Sequence, residues 1–219
     1  MKIKNAESGV IVRDLIRTIH ENAAYLSEID GKIGDGDHGI NMNKGFTICE
    51  QRLGDEQFSL SQGFAVLSRT LMEDIGGSMG PLYGVFFDEM SIACADLQDI
   101  DANSFQTMLE NALSGIQDIG NARLGDKTLL DTLIPGVEAY SAALDAGKTF
   151  KEALIDMQKA AKEGWQSTEG MIAKIGRASR LGERSRGVLD AGATSCYLIL
   201  NAMADSVLGL LAAGESAKA

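Results

Sequence analysis

Val12, Leu15, Ile16, Ile19, Ala23 and Leu26 recur at steps of three and four, so one apolar stripe runs down a long first helix. That period returns along the whole chain and never yields to the β-branched alternation of a strand. Only two prolines, Pro81 and Pro135, interrupt it. A chain of this kind buries its stripes by packing helix on helix, which predicts an all-α fold with antiparallel neighbours across short connections.

The pattern predicts eight helices. After the first, His38 to Leu53 offers Ile40, Phe46 and Leu53 for burial, with Asp37 as N-cap and Gly54 as stop. The third, Ser59 to Ile75, carries Phe64, Leu67, Leu71 and Met72. The fourth takes Pro81 as its first residue, where the missing N–H is harmless, and continues over Tyr83 to Leu97. Ser104 caps the fifth, whose Phe105, Leu109, Ala112, Leu113 and Ile116 run toward Gly120. The sixth starts at Asp126 or Thr128 and reaches about Ala146, with Pro135 bending it or delaying its regular start. Thr149 to roughly Ser167 is the seventh, with continuation toward Ile175 left open. Ala193 to Leu211 is the eighth, and residues 212–219 are expected to fray. With no Pro/Ser-rich linker, the 219 residues read as one domain, 1–219.

Composition excludes some functions. Twenty basic residues against 31 acidic ones give a net charge of −11, which disfavours nucleic acid or an anionic membrane as a direct partner. The N-terminus lacks the apolar core of a signal peptide, and no apolar run reaches the ~18 residues of a membrane span. A cytoplasmic location is expected. Cys49, Cys94 and Cys196 are scattered within apolar patterns and read as reduced core thiols.

Between the first two helices lies Asp30-Gly-Lys-Ile-Gly-Asp-Gly-Asp-His-Gly39, where three acids gather. Two unit charges about 4 Å apart repel by roughly 4 kcal/mol at an effective dielectric near 20, so convergence of Asp30, Asp35 and Asp37 implies a cation. Hard oxygen ligands favour Mg²⁺ or Ca²⁺ over zinc. The dinucleotide pattern G-x-G-x-x-G needs a preceding strand and fails here, and EF-hand spacing would put Gly39 and Phe46 at ligand positions. What remains is Mg²⁺ on the three acids, with the next helix N-terminus and Asn41 facing phosphate oxygens. By residue type alone, a solvated turn with Asp37 only capping stands as well.

A second glycine turn, Gly76-Gly-Ser-Met-Gly-Pro81, could wrap phosphates at a helix start, although for such a motif alone a tight turn chosen for packing is the stronger reading. From Gly176 to Gly192 the periodicity disappears, and Arg177, Arg180, Arg184 and Arg186 make it a candidate mobile functional loop. His38 alone is weak evidence, and His20 reads as structural. Two glycine turns, an acid cluster and an arginine loop together suggest Mg²⁺-nucleotide phosphoryl transfer.

These residues also carry a resemblance. Gly34–Phe46, Gly76–Gly84, Gly125-Asp-Lys-Thr-Leu-Leu-Asp131, Gly176–Ser185 and Asp190-Ala-Gly-Ala-Thr-Ser195 resemble, in order and over nearly the whole chain, the motifs of the nucleotide-binding L subunit of dihydroxyacetone kinases. The resemblance implies an eight-helix antiparallel up-and-down barrel with the nucleotide at one end under the arginine loop. It implies two Mg²⁺ ions on Asp30, Asp35 and Asp37. It implies ADP or ATP contacts by His38, Gly39, Ile40, Asn41, Ser78, Met79, Gly120, Leu129, Arg177, Asp190, Ala191 and Gly192, with Leu129 against adenine. Ala191 stands where a proline is often found and Met79 where a smaller polar residue is, and His38 separates the chain from the related fatty-acid kinase domains, which carry Thr.

The implied chemistry is in-line phosphoryl transfer assisted by Arg177, with no nucleophile in this chain. By the same resemblance the substrate sits on a separate K subunit. ADP is rephosphorylated by a phosphohistidine-bearing M subunit of the phosphotransferase system in one branch, whereas ATP exchanges in the other. A transcription regulator as partner, another ketose such as erythrulose as substrate, and a homodimer all stay open.

Overall fold

The computed structural model describes residues 1–216. Its helices are α1 (Val10–Ile33), α2 (His38–Leu53), α3 (Leu60–Asp74), α4 (Met79–Cys94), α5 (Ala102–Ile119), α6 (Leu130–Asp145), α7 (Phe150–Ser167) and α8 (Ala191–Ser216). Each packs against the next in the chain, and α8 returns to α1, so the eight close into an antiparallel up-and-down barrel. One contiguous apolar cluster fills it. Phe46, Phe64 and Phe86 surround Phe87, with Phe86 edge-on at 5.0 Å, and Phe105, Tyr140 and Phe150 make a second aromatic group. Cys49, Cys94 and Cys196 are buried and unpaired.

Several sequence expectations are corrected. Strands exist: β1 (Lys2–Lys4) pairs antiparallel with β2 (Asp99–Asp101), and three residues each are too few to leave an alternating pattern. Lys2 and Lys4 both meet Asp99 across that pair. Asp101, rather than Ser104, caps α5, because its carboxylate accepts from the Ser104 amide and hydroxyl, both at 2.9 Å. Asp37 precedes α2 but makes no capping bond. Met72 and Ile40, assigned to buried stripes, are 42% and 65% exposed.

α6 begins at Leu130, later than Asp126 or Thr128, because the preceding residues form a turn closed by Asp131. Its carboxylate accepts from the amides of Gly125 (2.5 Å) and Thr128 (2.7 Å). Pro135 lies inside α6 and cannot donate to the Asp131 carbonyl. That carbonyl instead faces Gly164 of α7, where a Cβ would come within 2.2 Å. The glycine therefore permits the close α6–α7 packing.

α7 stops at Ser167 without continuing to Ile175, and the arginine-rich stretch is structured, with a 3-10 segment over Arg177–Ser185 broken at left-handed Gly182. α8 extends through residues 212–216, expected to fray, while 217–219 lie outside the described residues. At 26 residues, with an 18-residue window of mean hydropathy 1.7, α8 is long and apolar enough to span a membrane, contrary to expectation. Its apolar positions Ile199, Leu200, Met203 and Val207 are instead buried in the barrel against α1, α6 and α7.

Candidate functional site

Antiparallel alternation brings the ends of α1, α3, α5 and α7 and the starts of α2, α4, α6 and α8 to one end of the barrel. There a cavity of about 890 Å³ opens. Asp30, in the last turn of α1, approaches Asp35 and Asp37 of the following turn so closely that one ligand oxygen from each lies within 4.8 Å of the others. Two glycines allow this. A Cβ on Gly34 would sit 2.4 Å from the Asp30 carboxylate, and Gly36 has φ +78°, which L side chains rarely adopt.

Asp30 also accepts from the His38 amide at 3.3 Å, so the acid one helix earlier meets the first turn of α2. Arg177 reaches across the cavity mouth and pairs with Asp35. The cluster thus already draws a cation. Three converging hard-oxygen donors with few competing partners fit a divalent ion such as Mg²⁺.

The same cavity is lined by buried Leu129 together with the apolar residues Leu82, Val85, Ile116 and Ile119. Gly192 backs Leu129: a Cβ there would lie 3.6 Å from the Leu129 amide and 3.1 Å from Asp190 Oδ2. Asp190 is half-buried, caps α8 by accepting from the Ala193 amide at 2.7 Å, and is pushed up to about 6 by desolvation against that hydrogen bond. His38 Nε2 lies 2.9 Å from Ser195 Oγ, which in turn is 2.6 Å from the Tyr83 hydroxyl. Burial holds His38 down at about 4, against the pull of Asp30, and drives Tyr83 well above its ordinary value.

The cavity gathers Asp30, Asp35, Asp37, His38, Asn41, Ser78, Met79, Gly120, Leu129, Arg177, Asp190, Ala191 and Gly192. It does not gather Gly39 or Ile40. Gly39 is a packing residue, since a Cβ would meet the Ala23 carbonyl at 2.0 Å and Ser27 Oγ at 2.5 Å, and Ile40 points to solvent. Sequence reasoning missed Tyr83 and Ser195, which apolar periodicity absorbed into the core. It also gave no role to Lys127. That residue is 1% exposed in left-handed backbone (φ +63°), and its ammonium donates to three carbonyls: Ser185 (2.5 Å), Val188 (2.6 Å) and Met171 (3.2 Å). Its place in the Gly125–Asp131 motif was the available signal.

Residues 32–205 match the DAK2 domain family. Over 206 residues the chain is 36% identical to the "PEP-dependent dihydroxyacetone kinase 2, ADP-binding subunit DhaL" of Listeria innocua, covering 91% of this chain and 93% of that one. Over 185 residues it is 31% identical to the L-erythrulose kinase of Pectobacterium atrosepticum, covering 83% of this chain and 31% of that protein. The dihydroxyacetone kinase from C. freundii, solved in complex with AMP-PNP and Mg²⁺, shares the fold at TM-score 0.68 and 23% identity, over 94% of this chain and 35% of that one. By the extent of these matches, the chain belongs to the DAK2-domain family, among the DhaL-type ADP-binding subunits.

Proposed function

We propose that this chain is the L subunit of a dihydroxyacetone kinase: it holds Mg-ADP or Mg-ATP and passes the terminal phosphoryl group to dihydroxyacetone carried by a separate K subunit. The observation that carries the reading is that one cavity holds three converging carboxylates with an arginine paired to them and, in the same lining, the apolar residues around Leu129. Phosphates and a base need that polarity in one pocket.

Asp30, Asp35 and Asp37 would hold two Mg²⁺ ions, which when bound neutralise phosphate oxygens. The start of α4 at Ser78 and Met79 offers backbone amides to phosphate. Arg177, paired with Asp35 across the mouth, would meet charge on the transferring group. His38 and Asn41 stand beside the acids, and Gly120, Ala191 and Gly192 line the remainder.

The name of the Listeria relative supports phosphoenolpyruvate dependence, and on this reading a phosphohistidine-bearing M subunit recharges the bound ADP. The lower-identity match to an erythrulose kinase favours a second reading, ATP-dependent transfer to another small ketose. Native mass spectrometry separates the two: retained ADP supports the first, a freely exchanging site the second. The core reading is tested by the double variant Asp35→Asn/Asp37→Asn. Mg-ADP binding by calorimetry should be lost with helicity unchanged by circular dichroism; binding at wild-type strength would sink it.

A further inference from the structure

Two parts of the cavity lining are carried by segments far apart in sequence, the turn before α6 bearing Leu129 and the stretch 171–190 bearing Arg177. One buried ammonium joins them. Lys127 sits two residues before Leu129, and its three donors meet three carbonyls placed on both sides of the arginine segment: Met171 before it, Ser185 at its end and Val188 after it.

An ammonium has three N–H donors and no acceptor, so all of Lys127's capacity is spent on this one stretch. Burial disfavours its charged form, and the lowered ammonium pKa has desolvation as its first cause. Left-handed backbone at a non-glycine residue is a second cost, and it turns the side chain inward from the turn. A surface lysine would carry neither burden. The nearby Lys174–Asp126 ion pair, with Lys174 62% exposed, contributes little by comparison.

The same stretch is tied again at its roots. The Gly187 amide donates to the Glu169 carbonyl at 2.8 Å, the Ala173 amide to Ser185 Oγ at 2.9 Å, and the Lys174 amide to the Asp126 carbonyl at 3.1 Å. Arg177 itself projects from between these anchors and pairs with Asp35 across the mouth. The roots are therefore held by several bonds, and the arginine extends beyond them.

Resting on the nucleotide reading of this cavity, we propose that Lys127 is a positioning residue that pins both roots of the arginine segment to the Leu129 turn, so that the base wall and Arg177 move as one piece. Engagement of a base at Leu129 then fixes the arginine over the phosphates, and loosening the pin lets the bound nucleotide leave by the mouth.

The test compares wild type with Lys127→Met, which keeps length and volume and removes the donors. Hydrogen exchange without nucleotide reads the pin; the dissociation rate of Mg-ADP reads its consequence. We expect residues 171–190 to lose protection while α3 and α5 keep theirs, and Mg-ADP release to accelerate by at least roughly tenfold, the equivalent of one charge-assisted hydrogen bond. Unchanged exchange in 171–190, protection lost throughout all helices alike, or release at the wild-type rate overturns the proposal. Should Lys127→Met not fold, Lys127→Gln, with a shorter uncharged donor, is read against the same limits. Wild-type protein that binds no Mg-ADP overturns the nucleotide reading and the coupling with it, whereas normal binding with unchanged exchange in the variant overturns Lys127's role alone.

Discussion

At the barrel end away from the cavity, α3, α5 and α7 each begin on a side chain that closes the first turn. Ser59 accepts from the Gln62 amide, Asp101 from Ser104 and Thr149 from Glu152, the first and last as full capping boxes. At the cavity end, α2, α4 and α6 begin on Asp37, Ser78 and Leu129, and none of these makes a side-chain capping bond. Among the described residues, only α8 starts there with one, from half-buried Asp190. At the far end three starts are closed by their own capping side chains, with α1 beginning on Gly9 without one, whereas at the cavity end the first amides of α2 and α6 go to Asp30 and Thr128 and the start of α4 at Ser78 has no capping bond, which leaves its dipole directed at whatever enters. The same barrel thus separates stability from binding by where it places its caps.

The largest expected break in that comparison is Gly39→Ala. It lies at the binding end, yet its new methyl would collide with the Ala23 backbone carbonyl, which cannot swing away as a side chain can. A loss of about 3 kcal/mol is expected in urea unfolding, at the upper end for overpacking. Gly77→Ala in the second glycine turn has open space around it and only its φ of +77° to oppose it, so about 1 kcal/mol is expected there. Equal costs would show that close packing of α2 on α1 does not distinguish the two glycine turns.

Asp190→Asn comes next and asks whether the one capped helix at the cavity end is built for stability. Burial raises the Asp190 pKa in the folded protein to about 6, from an ordinary value of 3.8. Its contribution is therefore fully present below about pH 4 and is lost as pH rises through about 6. Asparagine keeps an acceptor for the Ala193 amide but does not ionise. Relative to that variant, wild type should become less stable by roughly 2 kcal/mol between pH 4 and pH 7, read from thermal or urea unfolding across that range. Parallel pH profiles would show that this charge is compensated by Lys127.

The far end was more legible in the sequence than the cavity end, for a physical reason. Ser59 and Thr149 lie at helix starts where local chemistry, a hydroxyl followed three residues later by Gln or Glu, determines the structure. The apolar period likewise sufficed for eight helices, although it could not reveal the three-residue strands or that Met72 and Ile40 lie exposed. At the cavity end, local rules misled. Asp37 has the right type for a cap but is turned toward Asp30 and Asp35, and Gly39 sits in the motif yet serves helix packing. The acids and Arg177 were readable as residue types that have no use in a core. Lys127, Tyr83 and Ser195 act through partners 44 to 157 positions away, as in the Lys127–Met171 and His38–Ser195 bonds, and no local pattern encodes such pairs.

The smallest effect is also the sharpest, because it makes one substitution at both ends. Ser59→Ala removes an acceptor used by the Gln62 amide and should cost about 1 kcal/mol of stability while leaving Mg-ADP affinity alone. Ser78→Ala removes a hydroxyl at the same helix position of α4, where it makes no capping bond, so its stability cost should fall within about 0.5 kcal/mol of zero. Ser78 lines the cavity, however, and its loss should weaken Mg-ADP binding several-fold by calorimetry. The two variants should therefore move opposite quantities: unfolding for Ser59, binding for Ser78. If Ser78→Ala were to destabilise the fold as much as Ser59→Ala and leave nucleotide affinity unchanged, the start of α4 would be an ordinary capped helix, and the division of labour between the two ends would reduce to the acid cluster alone.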